Sequence, residues 1–358
     1  MLLTNSLLNQ LSSVFRFQIV LLSCLFLTTT AVYAQDQTEN AAALLKLITN
    51  IEQHETLYSA LKLNLTEEYE TFPKHTNPEK QIHSETKYSI LLQGRNFRRQ
   101  ENSQGRYQIA YRSVPKTPMK SSHKRTSDSI EVYNGITHRG LWNSAAPSPV
   151  VEEEAEYERR GQISDEIPSL SNLVRPHMFL LDGGWSKVPL STYLKGTNAI
   201  LAYPNPGHFD EKIVIEVEIL GQEEFQGLTC TKIRTETSHL NGTRYAGCEL
   251  WLAQDRNLIP VRKVSYTYRW SKTIPVAESI VDEWQEVSPG AWFPRKAHTD
   301  RYDSLKIKRE GQQQLSWRKA YKVESIELNP TIPKEAFSKL DFPPETSVRV
   351  YRDGKLIE

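Results

Sequence analysis

The chain has 358 residues, with 44 Lys and Arg against 43 Asp and Glu, a formal net charge of +1. That balance excludes a nucleic-acid partner held by phosphate neutralisation, which needs a surplus of cations. A chain this long buries roughly three quarters of its unfolded surface, so neither a structural metal nor a dense disulfide framework is required.

The N-terminus reads as an export signal. Met1 to Gln18 carries one cation, Arg16, and no acid; Ile19 to Leu27 is almost wholly apolar; and Val32-Tyr33-Ala34 offers small side chains before Gln35-Asp36. This order of regions predicts a signal peptide over residues 1–34, cleaved after Ala34 and leaving 324 of the 358 residues. Two alternatives stand beside it. Leu21-Leu22-Ser23-Cys24 loosely fits a lipoprotein processing site, and an uncleaved anchor needs about 20 apolar residues, a run that Arg16 and Gln18 interrupt. No later run approaches that length, so the exported chain is expected to be soluble.

Asn40 caps a predicted helix over Ala41–His54, in which Leu44, Leu47, Ile48 and Ile51 make one apolar stripe. The period then changes to two, with Leu57, Leu61, Leu63 and Leu65 alternating against Tyr58, Lys62 and Asn64 as in a half-buried strand. Strands follow at Lys87–Leu92 and Asn96–Gln100 around Gly94, and at Ser129–Tyr133 and Thr137–Trp142 around the hairpin turn Asn134-Gly135. Between and beyond them, the basic stretch 112–127 and the acidic, turn-rich stretch 145–167 read as inserted loops. A short helix is expected over Leu190–Tyr203, started at Ser191 and burying Tyr193, Leu194 and Ile200.

After Pro206-Gly207 the strand pattern is plainer. Ile213, Ile215, Val217 and Ile219 share one face, and Val264, Tyr266, Tyr268 and Trp270 form an aromatic face opposite Lys263, Ser265, Thr267 and Arg269. Leu228–Glu236 and Thr243–Ala253 form a hairpin, and further strands are expected at Ser279–Val287, Trp292–Ala297 and Trp317–Leu328. Strands at such short spacing, joined by hairpin turns, make an antiparallel meander rather than βαβ units. The predicted fold is therefore mainly β (α+β), one domain over residues 35–358, with the few helices covering one face of the sheet. Cys230 and Cys248 remain once the signal leaves. Flanking the hairpin in an oxidising compartment they would form a disulfide contributing about 3 kcal/mol; otherwise they are two buried thiols serving as small apolar residues.

A search for chemistry returns little. The nine histidines, at 54, 75, 83, 123, 138, 177, 208, 239 and 298, include no pair three or four apart, so no helical metal pair exists. There is no Gly-x-Ser-x-Gly elbow and no phosphate-cradling glycine loop. The expectation is a protein without catalytic residues, metal or cofactor, although groups distant in sequence can still converge in space.

Several segments, read in order, resemble the bacterial outer-membrane lipoprotein carrier family (LolA-like), including its long lipoprotein-sorting relatives. They are Leu57-Tyr58-Ser59-Ala60-Leu61-Lys62-Leu63 after the opening helix, Gln93-Gly94-Arg95-Asn96-Phe97-Arg98, and Val132-Tyr133-Asn134-Gly135-Ile136-Thr137. Trp251-Leu252-Ala253-Gln254-Asp255 with Leu258-Ile259-Pro260-Val261-Arg262 follows, then Pro333-Lys334-Glu335-Ala336-Phe337 and Phe342-Pro343-Pro344-Glu345 near the end. The resemblance is discontinuous over about residues 40–350. It implies an incomplete antiparallel β-barrel wrapped around a few helices, with a hydrophobic cavity that shelters lipid or lipoprotein acyl chains, and membrane proteins of the cell envelope as donor and acceptor. Leu61, Leu63, Trp251, Tyr266, Tyr268 and Trp270 are then candidate lining residues, the alternative for each being ordinary core. The family's lid-closing arginine falls at Arg95, with Arg98 second in line. The rival readings are an envelope scaffold that reuses the fold without a cavity, and a hydrolase.

Overall fold

In a computed structural model the described residues are 40–72, 82–107, 123–145, 157–165, 175–181, 189–196, 213–239 and 241–357. The export signal, Ile200 and most of the two expected insertions lie outside them. The chain divides into two units, Met1–Thr49 and Asn50–Glu358. The first contributes the start of helix α1 (residues 40–56), and the second carries the sheet. Leu47, Ile48 and Ile51 of the predicted stripe are buried.

Fifteen strands form one sheet: β1 (Ala60–Thr71), β2 (His83–Gln93), β3 (Asn96–Tyr107), β4 (His123–Tyr133), β5 (His138–Ala145), β6 (Tyr157–Ser164), β7 (Ile213–Phe225), β8 (Leu228–His239), β9 (Arg244–Ala253), β10 (Ile259–Thr267), β11 (Ala277–Ser288), β12 (Ala291–Tyr302), β13 (Leu315–Leu328), β14 (Ser347–Arg352) and β15 (Lys355–Leu356). Their spatial order is β15-β14-β6-β5-β4-β3-β2-β1-β13-β12-β11-β10-β9-β8-β7. The chain thus starts in the middle, meanders outward to β6, resumes at the opposite edge and meanders back until β13 closes on β1. It then crosses to the first edge and adds β14 parallel to β6, the one parallel pairing among the described strands. The ends do not meet, so the sheet is open, mainly antiparallel and accompanied by few helices, as the sequence pattern predicts.

Alternation explains the central strands. Leu61, Leu63 and Leu65 of β1 are at most 1% exposed while Lys62 faces solvent. The face bearing these leucines is called the leucine face. Across β13, β12, β11 and β10 the direct pairings carry it from Leu65 through Val323 and Tyr321 to Ala297 and Thr299, then Ser279, Lys263 and Leu250. On β9, Leu250 and its neighbour Trp251 are both buried, which means that the sheet is covered on both sides there. Helix α2 (Leu190–Leu194) brings Tyr193 to the leucine side, its hydroxyl 3.0 Å from that of Thr235. On the reverse side Trp251 lies between the Lys232 ammonium, 4.4 Å from the ring centre, and the Arg262 guanidinium, 4.5 Å away.

The C-terminal crossover covers the reverse face of β3–β5. Leu340 packs on Val132 and Leu141, with Ile130 and Phe342 beside them. Gly161 of β6 permits this approach, since a Cβ there would stand 2.8 Å from the Phe342 ring. Arg98 Nη1 donates to the carbonyls of Ala336 (3.4 Å) and Lys339 (3.2 Å) and so ties the crossover down.

Four expectations need correction. First, the presumed insertions contain strands. β4 begins at His123 and β6 occupies 157–164, because pairing on both sides satisfies their backbones whatever the polarity of their side chains. Second, β10 stops at Thr267, and Trp270 N–H turns back to donate to Thr267 O (2.9 Å), so the expected aromatic strand face ends before Trp270. Third, helix α3 (Ser304–Glu310) is additional. Asp303 caps it by accepting from the N–H groups of Leu305 (2.8 Å) and Lys306 (3.2 Å), and Gly311 ends it at φ 68°.

The fourth correction is the disulfide. Cys230 pairs with Ala253 and Cys248 with Thr235, a five-residue offset along the ladder that places the thiols about 17 Å apart and on opposite faces. A bridge needs Cα atoms within about 7 Å, and both cysteines are free. Burial pushes each thiol up to about 11. Alkylation of the unfolded chain without reductant is expected to label both; mass spectrometric recovery of a bridged Cys230–Cys248 peptide would contradict this register.

Candidate functional site

Strands β1 to β6 pair without a bulge, and three cross-strand rows run along the leucine face into β14. One row is Leu61, Leu92, Phe97, Tyr133, His138, Ser164 and Tyr351. The next is Leu63, Ile90, Arg99, Glu131, Gly140, Gln162 and Arg349. The third is Leu65, Tyr88, Glu101, Ser129, Trp142, Arg160 and Ser347. Each starts aliphatic and ends polar, and direct neighbours within a row have Cβ atoms about 5 Å apart. Over β3–β6 and β14 the polar ends of the rows line an open cleft of about 650 Å³.

Local sequence builds the cleft walls. Trp142 lies back over Gly140, where a Cβ would stand 2.1 Å from the indole. Arg99 Nη2 binds Glu131 Oε2 at 2.9 Å, and His138 Nε2 is 3.8 Å from the same oxygen. Burial alone would raise the Glu131 carboxyl, but the neighbouring His138 imidazole and the Arg99 guanidinium outweigh it and hold the group below the usual carboxylate range. Glu101 is pushed the other way. Burial raises it, Arg99 opposes and Glu131 adds to the rise. The buried Nε of Arg99 has no hydrogen-bond partner among the described residues.

A second polar cluster lies at the β9–β10 turn. Asn257 Oδ1 accepts from Tyr58 Oη (3.0 Å) and Trp292 N (2.8 Å), and its Nδ2 donates to Gly290 O (2.9 Å). Its own carbonyl is 2.7 Å from His177 Nε2. A carbonyl can only accept, so that nitrogen carries the proton. His177 is fully buried, and burial lowers it to about 4. The bonds join protein groups from the α1 end, the β9–β10 turn and the β11–β12 hairpin, so the cluster is a structural brace, with only the buried His177 Nδ1 lacking a hydrogen-bond partner among its buried side-chain atoms. Among the described residues no three His, Cys, Asp or Glu side chains are grouped as a metal site requires.

Of the proposed lining set, Leu61, Leu63 and Trp251 are buried members of one hydrophobic cluster, against which Tyr266 packs; none of the six lines the open cleft. Trp251, Tyr266 and Tyr268 are on the reverse face by register, Tyr268 donating to Glu236 Oε1 at 3.1 Å. Trp270 sits in the turn after β10 beneath Arg269, 4.5 Å from its ring. The leucine face is itself occupied at its centre, where the Phe179 ring packs 5.4 Å from Tyr321 and 5.9 Å from Phe293, with Met178 and Leu180 buried beside it. Arg95 is exposed in the β2–β3 turn, whereas Arg98 bonds two carbonyls on the reverse face. The cleft residues were not anticipated. Their signal is polar side chains at even spacing, as in Arg99/Glu101 at the end of an expected strand and Arg160/Gln162 in a stretch read as a loop.

No family model matches the sequence, and no curated protein matches it. Among solved structures the chain is similar to a DUF1329 family protein from Desulfovibrio piger, with 12% identity over 83% of this chain and 97% of that one, at a TM-score of 0.38. It is similar to a putative outer membrane lipoprotein-sorting protein domain from Vibrio parahaemolyticus, with 8% identity, coverage of 82% and 95%, and a TM-score of 0.38. The lipoprotein LppX of Mycobacterium tuberculosis follows with 10% identity, coverage of 82% and 98%, and a TM-score of 0.23.

Proposed function

We propose that this chain is an exported, non-catalytic binding protein of the bacterial envelope that holds a lipid or lipoprotein acyl ligand, with the ligand seated at the open cleft. The observation that carries the reading is the set of three uninterrupted rows, in which aliphatic, aromatic and polar side chains succeed one another on a single face. Such a surface suits an amphiphile, with the tail directed along the rows toward β2 and the head toward β6 and β14. The filled centre of the face modifies the dry barrel expected from sequence. Met178, Phe179 and Leu180 occupy the place of a deep acyl tail, so burial of the ligand is partial. At about 0.8 kcal/mol per buried methylene, even four or so methylenes give about 3 kcal/mol.

The same filled centre favours a second reading, an envelope scaffold that binds protein rather than lipid. The experiment that separates them is mass spectrometry of lipid extracted from the protein purified after export, with titration by a fluorescent fatty acid. Co-purifying lipid and saturable fatty-acid binding are expected. A lipid-free sample with no saturable binding sinks the carrier reading and leaves the scaffold.

A further inference from the structure

We infer that the cleft seats a saccharide ring stacked on Trp142, an inference that rests on the reading above and gives its ligand a head group. Trp142 belongs to β5 and lines the cleft. A Cβ on Gly140 would meet three atoms of its six-membered ring at 2.1, 2.6 and 2.8 Å. Distances so alike mean that the ring lies over the Gly140 backbone by its face, so the opposite face is turned away from the sheet. Only glycine leaves room for that pose. An indole face carries partial negative charge, which attracts the weakly positive C–H groups along one side of a sugar ring. Tyr351 of β14 supplies a second aromatic side chain to the lining.

The polar groups around the indole favour a neutral ligand rich in hydroxyls. Ser129 stands opposite Trp142 on β4, Asp128 opposite Asn143, and Gln162 of β6 opposite Gly140, with direct neighbours about 5 Å apart. Ser129, Asp128, Asn143 and Gln162 all line the cleft beside Trp142. Charges of both signs complete the wall, Glu101 and Asp128 against Arg99, Arg160 and Arg349, so neither an anionic nor a cationic head is selected. Carboxylates only accept hydrogen bonds, guanidinium groups only donate, and hydroxyl and amide side chains do both. A sugar hydroxyl donates one bond and accepts others, so it meets either kind of neighbour. A phosphate dianion can only accept and a quaternary ammonium can do neither, so each would leave part of this wall without a partner. Small apolar area at an aromatic platform, with a few convergent polar groups, is how such clefts fix the orientation of a ligand.

The test probes the full exported chain with maltose and N-acetylglucosamine, each free and as its dodecyl glycoside, and with dodecyl phosphocholine as an amphiphile without a sugar. Saturation-transfer NMR reads the free sugars, and calorimetry below the micelle concentration reads the amphiphiles. Transfer to the C–H protons of one ring face is expected. Trp142→Ala is expected to weaken binding by about tenfold, the loss of one stacked ring, and Gln162→Ala to weaken it in the same direction. Trp270→Phe, outside the cleft, should bind as the parent does, and unchanged thermal midpoints show that the variants are folded. Sugar binding that both cleft variants weaken, with a tighter dodecyl glycoside, supports the saccharide seat and the acyl reading together. The same sugar binding without any gain from the dodecyl tail keeps the seat, makes a free saccharide its ligand and removes the acyl reading. Absent transfer from both sugars, or binding indifferent to the cleft variants, overturns the seat; saturable dodecyl phosphocholine binding in that case leaves the acyl reading standing.

Discussion

Replacing Asn257 with Ala is expected to lower unfolding free energy by about 4 kcal/mol. The side chain accepts from Tyr58 and Trp292 and donates to Gly290, joining the end of α1, the β9–β10 turn and the β11–β12 hairpin. Its removal leaves the part-buried Trp292 N–H and Gly290 carbonyl without these partners at about 1–3 kcal/mol each, while Tyr58 keeps its bond to the Trp292 carbonyl. The backbone adds to the cost, because Asn257 has φ 57°, a left-handed conformation that costs Ala about 1 kcal/mol and Gly almost nothing. Asn257→Gly loses the same hydrogen bonds without that strain, so the difference between the two variants isolates it. Urea denaturation gives both values. A loss below about 1 kcal/mol for Asn257→Ala would show that the brace does not hold these segments together.

Stability is also expected to fall by about 3 kcal/mol between pH 7 and pH 4 through His177 alone. Burial lowers this imidazole to about 4 from an ordinary 6.5; its bond to the Asn257 carbonyl opposes the shift and nearby His54 adds to it. Between those values the unfolded chain takes up a proton that the folded chain refuses. The contribution is therefore complete above pH 6.5, declines as pH falls toward 4 and levels off below. Other groups titrate over neighbouring ranges. Glu55 and Glu101, both raised by burial, gain stability as pH falls, whereas Glu131, held low, loses it. The informative quantity is thus the difference between the parent and His177→Gln, which can still donate to the carbonyl but does not titrate. Equal pH slopes in the two proteins would sink the assignment.

Much of the architecture was legible in local patterns. The β1 leucines announced their strand by period two, and Asn134-Gly135 located the β4–β5 turn with Gly135 at φ 89°. The opening helix was legible in its stripe of Leu47, Ile48 and Ile51. Helix α3 is marked in the sequence only by its Asp303 cap and terminal Gly311, with seven residues between them, too short a stretch for an apolar stripe to announce a helix. β6 was not legible, because Arg159 and Arg160 beside Gly161 lack any apolar alternation, and the strand exists because β5 and β14 complete its hydrogen bonds.

Period and turn chemistry are properties of neighbours in the chain, and they determined strand-rich architecture, an antiparallel meander and the identity of the buried leucines. Register and strand order join residues far apart, and only the tertiary structure could decide those. It put Cys230 and Cys248 out of reach, sent Trp251 and Leu61 to opposite faces and brought Arg160 beside Arg349 across some 190 residues. The physical reason is that a strand's alternation specifies which side chains share its face, whereas the ladder specifies which strand comes next and at what offset.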